Sequence, residues 1–559
     1  MIIKNITLKH VILLFLLSYV FLMLGNGVLD LTNPDEVFYT QTAKEMVQHK
    51  TWTVPYLFGQ PQFEKPIFTY WCLRLGFILF GVTSFSARFF CALFGIIGVL
   101  TLYGLGILGF GDKKKAFISS VILMSGGLYI GLSRTVFTDM IFSVLILLSM
   151  VSFFWGYARA DKKALGILLF FVFSGLAVLA KGPLGAILPM LSVVLFLGMR
   201  KELKFFFCRY SAWGFLLFCL IAIPWYADMI KRFGNTFTEE FFYNDHIRRI
   251  IEAEHISNDT WFFYPIFMVL CMFPWSFFTV ISFFHLLKKL KGRGCLPIYQ
   301  YLSAWLVIVL VVFQASHSKL VRYIFPLFPV LALMTGDFIH NALSENKTRA
   351  LTVISYISWA TILVIPIGLV VCMIRFSGYI PERLPIYCFI IFYLVLQGAM
   401  LLFIKQKKFL VNMCFLAIQL PLILVFVFLN RESLNIYAAG KKAAQYLAAN
   451  AGQGDNKILC AKFLARGVRF YTDREVAVID MGGSNFFSPH PIPYLNTENK
   501  VRGFLKDQQV TYGIVTKSSL KALENIARND LKLDKLKTIG DEHIVKVYVK
   551  LVTFNTPGA

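Results

Sequence analysis

Charged residues are scarce in this chain of 559 residues, and that scarcity alone excludes most classes of protein. Asp, Glu, Lys and Arg together make up 15% of the sequence, whereas about a quarter is usual in a soluble domain. Apolar residues make up 57%, and phenylalanine alone fills 57 positions. Because this composition cannot supply an aqueous surface, ordinary soluble, disordered and collagenous chains are excluded. The sequence predicts a membrane protein with several spans.

Acidic residues are also few, 31 against 55 basic ones, which leaves a formal net charge of +24. Many basic residues form short clusters between apolar runs, as at 113–115 and 288–289. That pattern is typical of cytoplasmic loops, whereas a nucleic-acid surface needs a basic patch on a folded aqueous face. We therefore expect no nucleic-acid partner. The ten cysteines show no metal-ligand spacing, and only Cys460 lies after residue 430, so the tail cannot form a disulfide of its own.

Thirteen apolar runs reach or approach the ~20 residues that a spanning helix needs. They lie at about 10–29, 86–110, 115–133, 136–158, 164–180, 184–198, 205–226, 262–286, 298–315, 320–340, 350–374, 385–404 and 409–429. A further run at 67–82 decides the parity. With thirteen spans and a cytoplasmic N-terminus, every basic cluster is cytoplasmic. A fourteenth span would move every basic cluster after residue 82 to the outer side of the membrane. The sequence thus predicts a polytopic α-helical membrane protein with about thirteen transmembrane helices, and an interfacial helix at 67–82.

The composition changes after Asn430, where the chain becomes polar and mixed. Strand-like runs at 457–459, 475–479, 511–515 and 543–549 alternate with helical stretches near 433–450, 498–509 and 517–529. The sequence therefore predicts a transmembrane domain over 1–430, with a first outer loop at 30–85, and a small α/β domain over 431–559. The odd number of spans places this second domain on the outer side of the membrane.

The first outer loop carries Asn33-Pro34-Asp35-Glu36, followed by Tyr39. A structural interpretation is sufficient for these residues, because an Asn cap, a proline at the first helical position and two acids form an ordinary helix start. The helix to about His49 has a rough amphipathic spacing that suits a membrane surface. The functional alternative is that Asp35 faces a cleft, with Tyr39 one turn further on the same face.

Charged residues at the outer ends of the spans are the other candidates. Asp139 opens a span and is either functional, since acids in apolar runs are costly, or a helix-start anion. Lys181, before Gly182-Pro183, is either a snorkelling lysine or a phosphate ligand. Lys319 and Arg322 lie one turn apart at an outer mouth, against the charge asymmetry seen elsewhere, which favours an anionic lipid partner. Together these residues suit a phosphate-linked sugar donor, with cations on the leaving phosphate and a carboxylate on the acceptor.

The order of these motifs resembles the C-type glycosyltransferases that use polyprenyl-phosphate sugars, and within them the ArnT-like branch. The resemblance runs through Pro34-Asp35-Glu36-x-x-Tyr39, Gly59-x-Pro61-x-Phe63-Glu64-Lys65-Pro66, Trp71, Thr138-Asp139, Ala180-Lys181-Gly182-Pro183, Phe241-Phe242, His246-Ile247-x-Arg249, Pro274-Trp275 and Lys319-x-x-Arg322-Tyr323-x-x-Pro326. It implies the GT-C fold and an enzyme of a bacterial inner membrane. That enzyme would transfer a sugar, with inversion, from undecaprenyl phosphate to an envelope acceptor, foremost lipid A.

The resemblance also assigns roles to particular residues. Asp35 matches the family's essential first-loop aspartate, with Glu36 completing the acid pair, and Asp139 is similar to its second outer acid. Lys65 and Tyr323 correspond to residues at the donor phosphate, where Lys181, Lys319, Arg322 and Tyr39 are further candidates. Glu64 and His246 look like a pair that holds a divalent metal, zinc, although a lone loop histidine such as His246 suggests no metal site by itself. No nucleotide cofactor is implied.

Three alternatives stay open at the level of the sequence. Phe38 and Gln62 depart from the lipid A enzymes, which often carry a basic and an aromatic residue there, so a protein O-mannosyltransferase acting on hydroxyls is one alternative. A lipid or sugar transporter is a second, although it would place ionisable residues near the membrane midplane. A non-catalytic protein whose tail recognises envelope glycans is the third.

Overall fold

The computed structural model describes residues 8–253, 256–292, 294–375, 383–438, 440–450, 456–483, 490–527 and 530–550. The chain divides into two compact units. The first comprises Met1–Asn26 and Phe63–Leu429, and the second comprises Gly27–Gln62 and Asn430–Ala559. The first outer loop up to Gln62 therefore groups with the polar tail.

The first unit is helical, because a helix pairs all its backbone polar groups internally where no water is available. Its α-helices are Leu8–Ser18, Ile67–Phe80, Ser84–Phe110, Lys113–Ser125, Gly127–Ser133, Thr138–Ala158, Lys163–Lys181, Leu184–Arg200, Arg209–Thr238, Arg248–Ile251, Phe263–Leu270, Ser276–Lys291, Pro297–Gln314, Phe328–Ser344, Thr348–Ile362, Val364–Arg375, Leu384–Lys405 and Phe409–Leu429. Segments of π-helix, which is wider than an α-helix, form the wide turns Tyr19–Met23 and Glu239–Ile247. The tighter 3₁₀-helix forms at Ala160–Lys162, Leu203–Phe205, Ile256–Asn258 and Val321–Leu327.

Within the described ranges, nine helices are long and apolar enough to cross a membrane. A tenth is obtained if Lys113–Ser125 and Gly127–Ser133, bent by 63°, count as one span. The three other predicted spans are shorter or broken, at Leu8–Met23, at Leu184–Arg200, and at Phe263–Leu270 followed by Ser276–Lys291. All thirteen apolar runs are thus helical, and the count of thirteen spans is approximate.

The ambiguous run at 67–82 forms the helix Ile67–Phe80, which has 14 residues. At 1.5 Å per residue it is about 21 Å long, short of the ~30 Å hydrocarbon core. One side buries Ile67, Tyr70 and Leu73, while Ile78 and Leu79 are exposed. These properties agree with a helix that lies along the membrane interface.

The segment at 227–260, which has a loop-like sequence, is largely helical. The helix Arg209–Thr238 covers its first part, with one break at Gly234, whose φ of 53° lies in the region that favours glycine. The wide turn Glu239–Ile247 and the helix Arg248–Ile251 follow. The polar composition of this segment concealed its helical period.

The second unit contains a six-stranded sheet and a two-stranded hairpin. The hairpin pairs β1 (Tyr56–Leu57) with β2 (Gln60–Pro61), and the sheet comprises β3 (Ile458–Ala461), β4 (Val476–Ile479), β5 (Tyr494–Leu495), β6 (Val510–Val515), β7 (Leu531–Ile539) and β8 (Glu542–Val549). The sheet order is β5-β4-β3-β6-β8-β7. Strands β5, β4, β3 and β6 are parallel to one another, and β8 runs antiparallel to both of its neighbours, β6 and β7. Its α-helices are Asp35–Gln48, Arg431–Ala438, Lys441–Asn450, Ala465–Thr472, Glu498–Gln508 and Lys517–Ile526.

The helix Asp35–Gln48, called here the first-loop helix, is buried on nearly every side. Val37, Ala43 and Met46 are fully buried, but so are Thr40 and Gln41. A helix lying on a membrane surface would keep its polar face exposed. The amphipathic interpretation of this segment is therefore wrong, and the helix packs against Ala465–Thr472, called here the tail helix.

Candidate functional site

Asp139 and Lys181 form an ion pair between two antiparallel helices of the first unit. Asp139 is the second residue of Thr138–Ala158, and Lys181 is the last residue of Lys163–Lys181. The two helices are joined by a short turn and pack together, so the start of one lies beside the end of the other. Nζ of Lys181 donates to Oδ1 of Asp139. Each charge also sits at the helix terminus that the macrodipole favours for its sign.

Arg322 and Tyr323 extend this pair from the turn Val321–Leu327. Nε of Arg322 lies 3.5 Å from Oδ2 of Asp139, and the ammonium of Lys181 lies 4.6 Å from the centre of the Tyr323 ring. The guanidinium of Arg322 also stacks on Phe137 at 4.7 Å. Because Asp139 is only 3% exposed, it joins two cations in a poorly hydrated place.

A second carboxylate, Asp245, joins two further cations. Its Oδ2 lies 2.6 Å from Nζ of Lys65, and its Oδ1 lies 3.1 Å from Nε of Arg249. Arg249 in turn donates from Nη1 to the hydroxyl of Tyr323 at 2.8 Å. Tyr323 thus connects the two halves of one network, which we call the cation cluster: Lys65, Lys181, Arg249, Arg322, Asp139, Asp245 and Tyr323.

The cation cluster carries an excess of positive charge. Four cations surround two carboxylates, so the formal net charge is +2. Lys181 also interacts electrostatically with both Arg322 and Lys65, although these are like charges. Cations crowded together in a largely buried place are stabilised by an anion, and arginine and lysine are the residues that bind phosphate oxygens. The arrangement can therefore bind a phosphate group and stabilise charge that develops on it.

Lys319 was predicted to bind the donor phosphate together with Arg322, but in the structure it forms an ion pair with Asp259. It is 4% exposed, and its Nζ donates to Oδ1 of Asp259. The other oxygen of Asp259 lies 2.6 Å from Nδ1 of His317. Lys319 and His317 together hold the pKa of Asp259 below its usual value. This pairing makes Lys319 a structural contact of the outer turn, so its donor-binding role stays a prediction.

Glu64 and His246 were predicted to hold a metal. Nδ1 of His246 lies 2.7 Å from the carbonyl oxygen of Phe241, an arrangement that orients the ring as in metal-ligating histidines. Glu64 interacts electrostatically with Glu240. However, a catalytic zinc usually has three protein ligands, and the described residues contain no group of three or more His, Cys, Asp or Glu that could hold a metal ion. The donor set is thus incomplete, and the metal stays a prediction.

The first-loop residues lie in the second unit, around the start of the first-loop helix. Asp35 is its first residue and is partly buried. Glu36 is 1% exposed and accepts hydrogen bonds at Oε2 from the amide of Thr32, at 3.0 Å, and from its hydroxyl, at 2.8 Å. Those two bonds tie Thr32, which precedes the helix, to its first turn, so Glu36 has a structural role. Tyr39 is buried at 6% exposure.

Three residues near these groups were given no site role from the sequence. Asp245 and Arg249 complete the cation cluster, and their spacing of four along a polar segment was the available signal. Arg466, from the tail helix, lies over the Phe38 ring at 4.8 Å and donates from Nη1 to the carbonyl of Pro34 at 3.5 Å. No sequence pattern connected position 466 with the first loop.

Comparison with known proteins gives matches at three levels. The model of the dolichyl-phosphate-mannose-protein mannosyltransferase family matches residues 7–232. An uncharacterized protein of Aquifex aeolicus (strain VF5) is 30% identical over 322 residues, which cover 57% of this chain and 62% of that protein. The undecaprenyl phosphate-alpha-4-amino-4-deoxy-L-arabinose arabinosyl transferase of Shewanella sediminis (strain HAW-EB3) is 29% identical over 375 residues, 66% of either chain. The chain thus spans slightly less than two thirds of the length of these curated relatives.

Solved structures extend the likeness over the whole chain. The crystal structure of ArnT from Cupriavidus metallidurans bound to undecaprenyl phosphate matches with a TM-score of 0.79 at 18% identity, covering 99% of this chain and 100% of that one. The apo oligosaccharyltransferase of Archaeoglobus fulgidus matches with a TM-score of 0.52 at 13% identity, over 91% and 69% of the two chains. At these identities the likeness shows the fold. The resemblance inferred from the motifs is therefore confirmed, and the chain folds as a multi-pass membrane protein of the GT-C type.

Proposed function

We propose, from the premise that this chain is an ArnT-like protein, that it is an inverting glycosyltransferase of the bacterial inner membrane. It moves a sugar from undecaprenyl phosphate to an envelope lipid acceptor, lipid A. The observation that carries this proposal is the cation cluster, in which four cations contact two carboxylates. Such a cluster suits the phosphate that leaves when a polyprenyl-phosphate sugar reacts.

The residues of the cation cluster divide into binding and orienting groups. Lys65, Lys181 and Arg322 contact the phosphate oxygens and stabilise the charge that grows as the bond to the sugar breaks. Asp139 and Asp245 hold those cations in position. The Tyr323 hydroxyl accepts a hydrogen bond from Arg249, so its own proton is available to a phosphate oxygen.

Asp35 acts on the acceptor, and its role depends on the acceptor's chemistry. A lipid phosphate is already ionised at neutral pH and needs only orientation. A hydroxyl must lose a proton, and removal of a general base typically slows such a step by about 10²–10⁴-fold. We therefore expect Asp35→Asn to reduce transfer to hydroxyl acceptors far more than transfer to phosphate acceptors. An undiminished rate with both acceptor types would exclude Asp35 from the chemistry.

Orientation follows from the distribution of basic residues. The basic clusters at 113–115, 200–204 and 288–291 lie at the other ends of the spans from Asp139 and Lys181. The positive-inside rule then places the N-terminus in the cytoplasm, and the cation cluster and the polar tail in the periplasm. Cysteine labelling of intact cells at Ser518, with a cytoplasmic control at Ser344, would test this orientation. Labelling of Ser344 alone by an impermeant reagent would reverse it.

A divalent cation at Glu64 and His246, zinc by resemblance, is a further part of the proposal, and no step above depends on it. The bond from His246 to the Phe241 carbonyl supports it. Metal analysis of the purified chain should find one equivalent that His246→Ala removes and His317→Ala retains. Equal metal content in the two variants would exclude the site.

A protein O-mannosyltransferase is the second candidate, favoured by the family model that matches residues 7–232. Mass spectrometry of lipid A from cells with and without this chain separates the two functions. A mass shift that depends on Lys65 and Asp35 would support the lipid A reading and identify the sugar. No shift, together with glycosylated periplasmic proteins, would support the protein acceptor. A transporter would show neither change, and the position of Asp139 and Lys181 at the ends of their helices argues against it.

A further inference from the structure

Three neighbouring contacts join the tail helix to the first turn of the first-loop helix. The guanidinium of Arg466 lies 4.8 Å from the centre of the Phe38 ring, and its Nη1 donates to the Pro34 carbonyl at 3.5 Å. Gly467 lies so close to Asn33 that a Cβ at position 467 would be 2.4 Å from the amide oxygen. Residues 33, 34 and 38 flank Asp35 on both sides. The tail therefore holds the backbone that carries this carboxylate.

Arg466 is itself fixed on several sides. Its Nη2 lies 2.7 Å from Nε2 of His490, and the His490 ring stacks on Phe38 with centroids 6.4 Å apart. The planar guanidinium can stack on an aromatic ring and bond at its edge at the same time, which a lysine ammonium cannot do. Orientation of Arg466 is thus transmitted directly to Phe38, and through it to the helix start.

The far end of the same helix is also held by the tail. Nζ of Lys44 lies 2.8 Å from Oδ1 of Asp473 and donates to the Phe470 carbonyl at 2.8 Å. Nε of Arg469 lies 3.8 Å from Oε1 of the buried Glu45. Both ends of the first-loop helix thus contact the tail, and Arg466 is the residue that contacts the end carrying Asp35.

We propose that Arg466 is a positioning residue, which sets the orientation of the Asp35 carboxylate by holding the first turn of its helix. The inference rests on the proposed function in so far as Asp35 acts on the acceptor. It makes the polar tail a part of the catalytic machinery and opposes the view of the tail as a separate glycan-binding module.

Transfer kinetics of the full-length protein in proteoliposomes test the catalytic consequence. Misplacement of a reacting group by ~1 Å can cost about 100-fold in rate, so we expect Arg466→Ala to lower kcat by about 10- to 100-fold while the KM for the polyprenyl-phosphate donor stays within about twofold. Arg466→Lys should recover little of the lost activity, because lysine keeps the charge but lacks the planar guanidinium that stacks on Phe38. Arg474→Ala is the matched control, since Arg474 bonds within the tail to the carbonyl of Asn456 at 2.8 Å.

Hydrogen exchange of the apo protein tests the contact without reference to activity. Amides of residues 35–41 should exchange faster in Arg466→Ala and in Gly467→Ala than in Arg474→Ala and the wild type. Unchanged exchange in Arg466→Ala would overturn the proposal. Faster exchange in Arg466→Ala would also overturn it if the kcat of this variant equalled that of Arg474→Ala. If exchange is faster in Arg466→Ala but the wild type transfers no sugar from any polyprenyl phosphate, the contact is established and the glycosyltransferase function is rejected instead.

Discussion

Nζ of Lys65 lies 2.6 Å from Oδ2 of Asp245, and this contact joins residues 180 positions apart in the chain. Lys65 precedes the helix Ile67–Phe80, whereas Asp245 lies in the wide turn Glu239–Ile247. The same carboxylate lies 3.1 Å from Arg249. One acid therefore separates two cations that would otherwise repel each other, and keeps both directed at one place.

Replacement of Asp245 by Asn should impair donor use while leaving the fold intact. The amide preserves shape but removes the charge that holds Lys65 and Arg249, so their positions relative to a phosphate become loose. We expect kcat/KM for the donor to fall by about 10²-fold, as when one stabilising group is lost from a preorganised site. The measurement is sugar transfer at varied donor concentration.

Asp228→Asn is the control for this prediction. Asp228 pairs with Arg232 at 2.9 Å in the same helical segment, but both side chains are substantially exposed. Its replacement should change kcat/KM by less than about twofold, since exposed pairs contribute little. Equal losses in the two variants would show that the effect is structural.

The two lysines predicted to bind the donor phosphate should behave differently. Lys181 belongs to the cation cluster, whereas Lys319 is paired with Asp259. We expect Lys181→Met to weaken binding of undecaprenyl phosphate by at least about 10-fold, as charge-assisted bonds contribute roughly 1.5–3 kcal/mol. Lys319→Met should lower Tm and leave the affinity nearly unchanged. Loss of affinity in Lys319→Met alone would reverse the two assignments.

Hydropathy and charge predict the helical unit well, because the membrane forces long apolar runs into helices. In the polar tail, the predicted strands at 457–459, 475–479, 511–515 and 543–549 correspond to β3, β4, β6 and β8, whereas β5 and β7 were not predicted. Strand β7 carries Lys532, Lys535 and Lys537 and has no clean alternation, yet it forms the edge of the sheet, where lysines discourage pairing with other chains. Strand β5 is too short to be seen in the sequence.

The cation cluster could be predicted only in part, for a related physical reason. Asp139, Lys181 and Arg322 break apolar runs, so each is conspicuous in the sequence. Asp245 lies in a segment rich in charge, where no single residue stands out, and Arg249 was recognised only as part of the motif His246-Ile247-x-Arg249. Arg466 contacts the first loop across more than four hundred residues, and only tertiary structure reveals such a contact.

Gly182→Ala should disrupt the site next to His246. The φ of Gly182 is +111°, which side-chain-bearing residues rarely adopt, and a Cβ there would lie 2.4 Å from Nε2 of His246. We expect loss of activity with a Tm lowered by several degrees, corresponding to about 1–3 kcal/mol of strain. Gly198→Ala is the control, because a Cβ at 198 meets no atom within 4 Å. A fully active Gly182→Ala enzyme would show that His246 can move freely.

Glu542 should make the stability of the polar unit depend on pH. It begins strand β8, is 7% exposed, and its Oε2 forms no hydrogen bond with the described residues. Burial raises the pKa of Glu542 to about 7, with a contribution from the nearby charge of Asp541. The folded protein then binds a proton that the unfolded chain has released, so the free energy of unfolding falls as pH rises from about 4.5 to about 7.

The size and the test of this effect follow from the Glu542→Gln variant, which stays neutral at every pH. Each unit of pKa shift corresponds to about 1.4 kcal/mol, so the difference between variant and wild type should reach about 3 kcal/mol in the variant's favour above pH 7. The Tm of the two proteins should agree near pH 4 and diverge as the carboxyl ionises, whereas Glu475→Gln, which removes a carboxylate that pairs with Lys457 at the surface, should not diverge in this direction. Parallel Tm curves for Glu542→Gln and wild type would mean that the Glu542 carboxyl ionises in the folded protein without penalty.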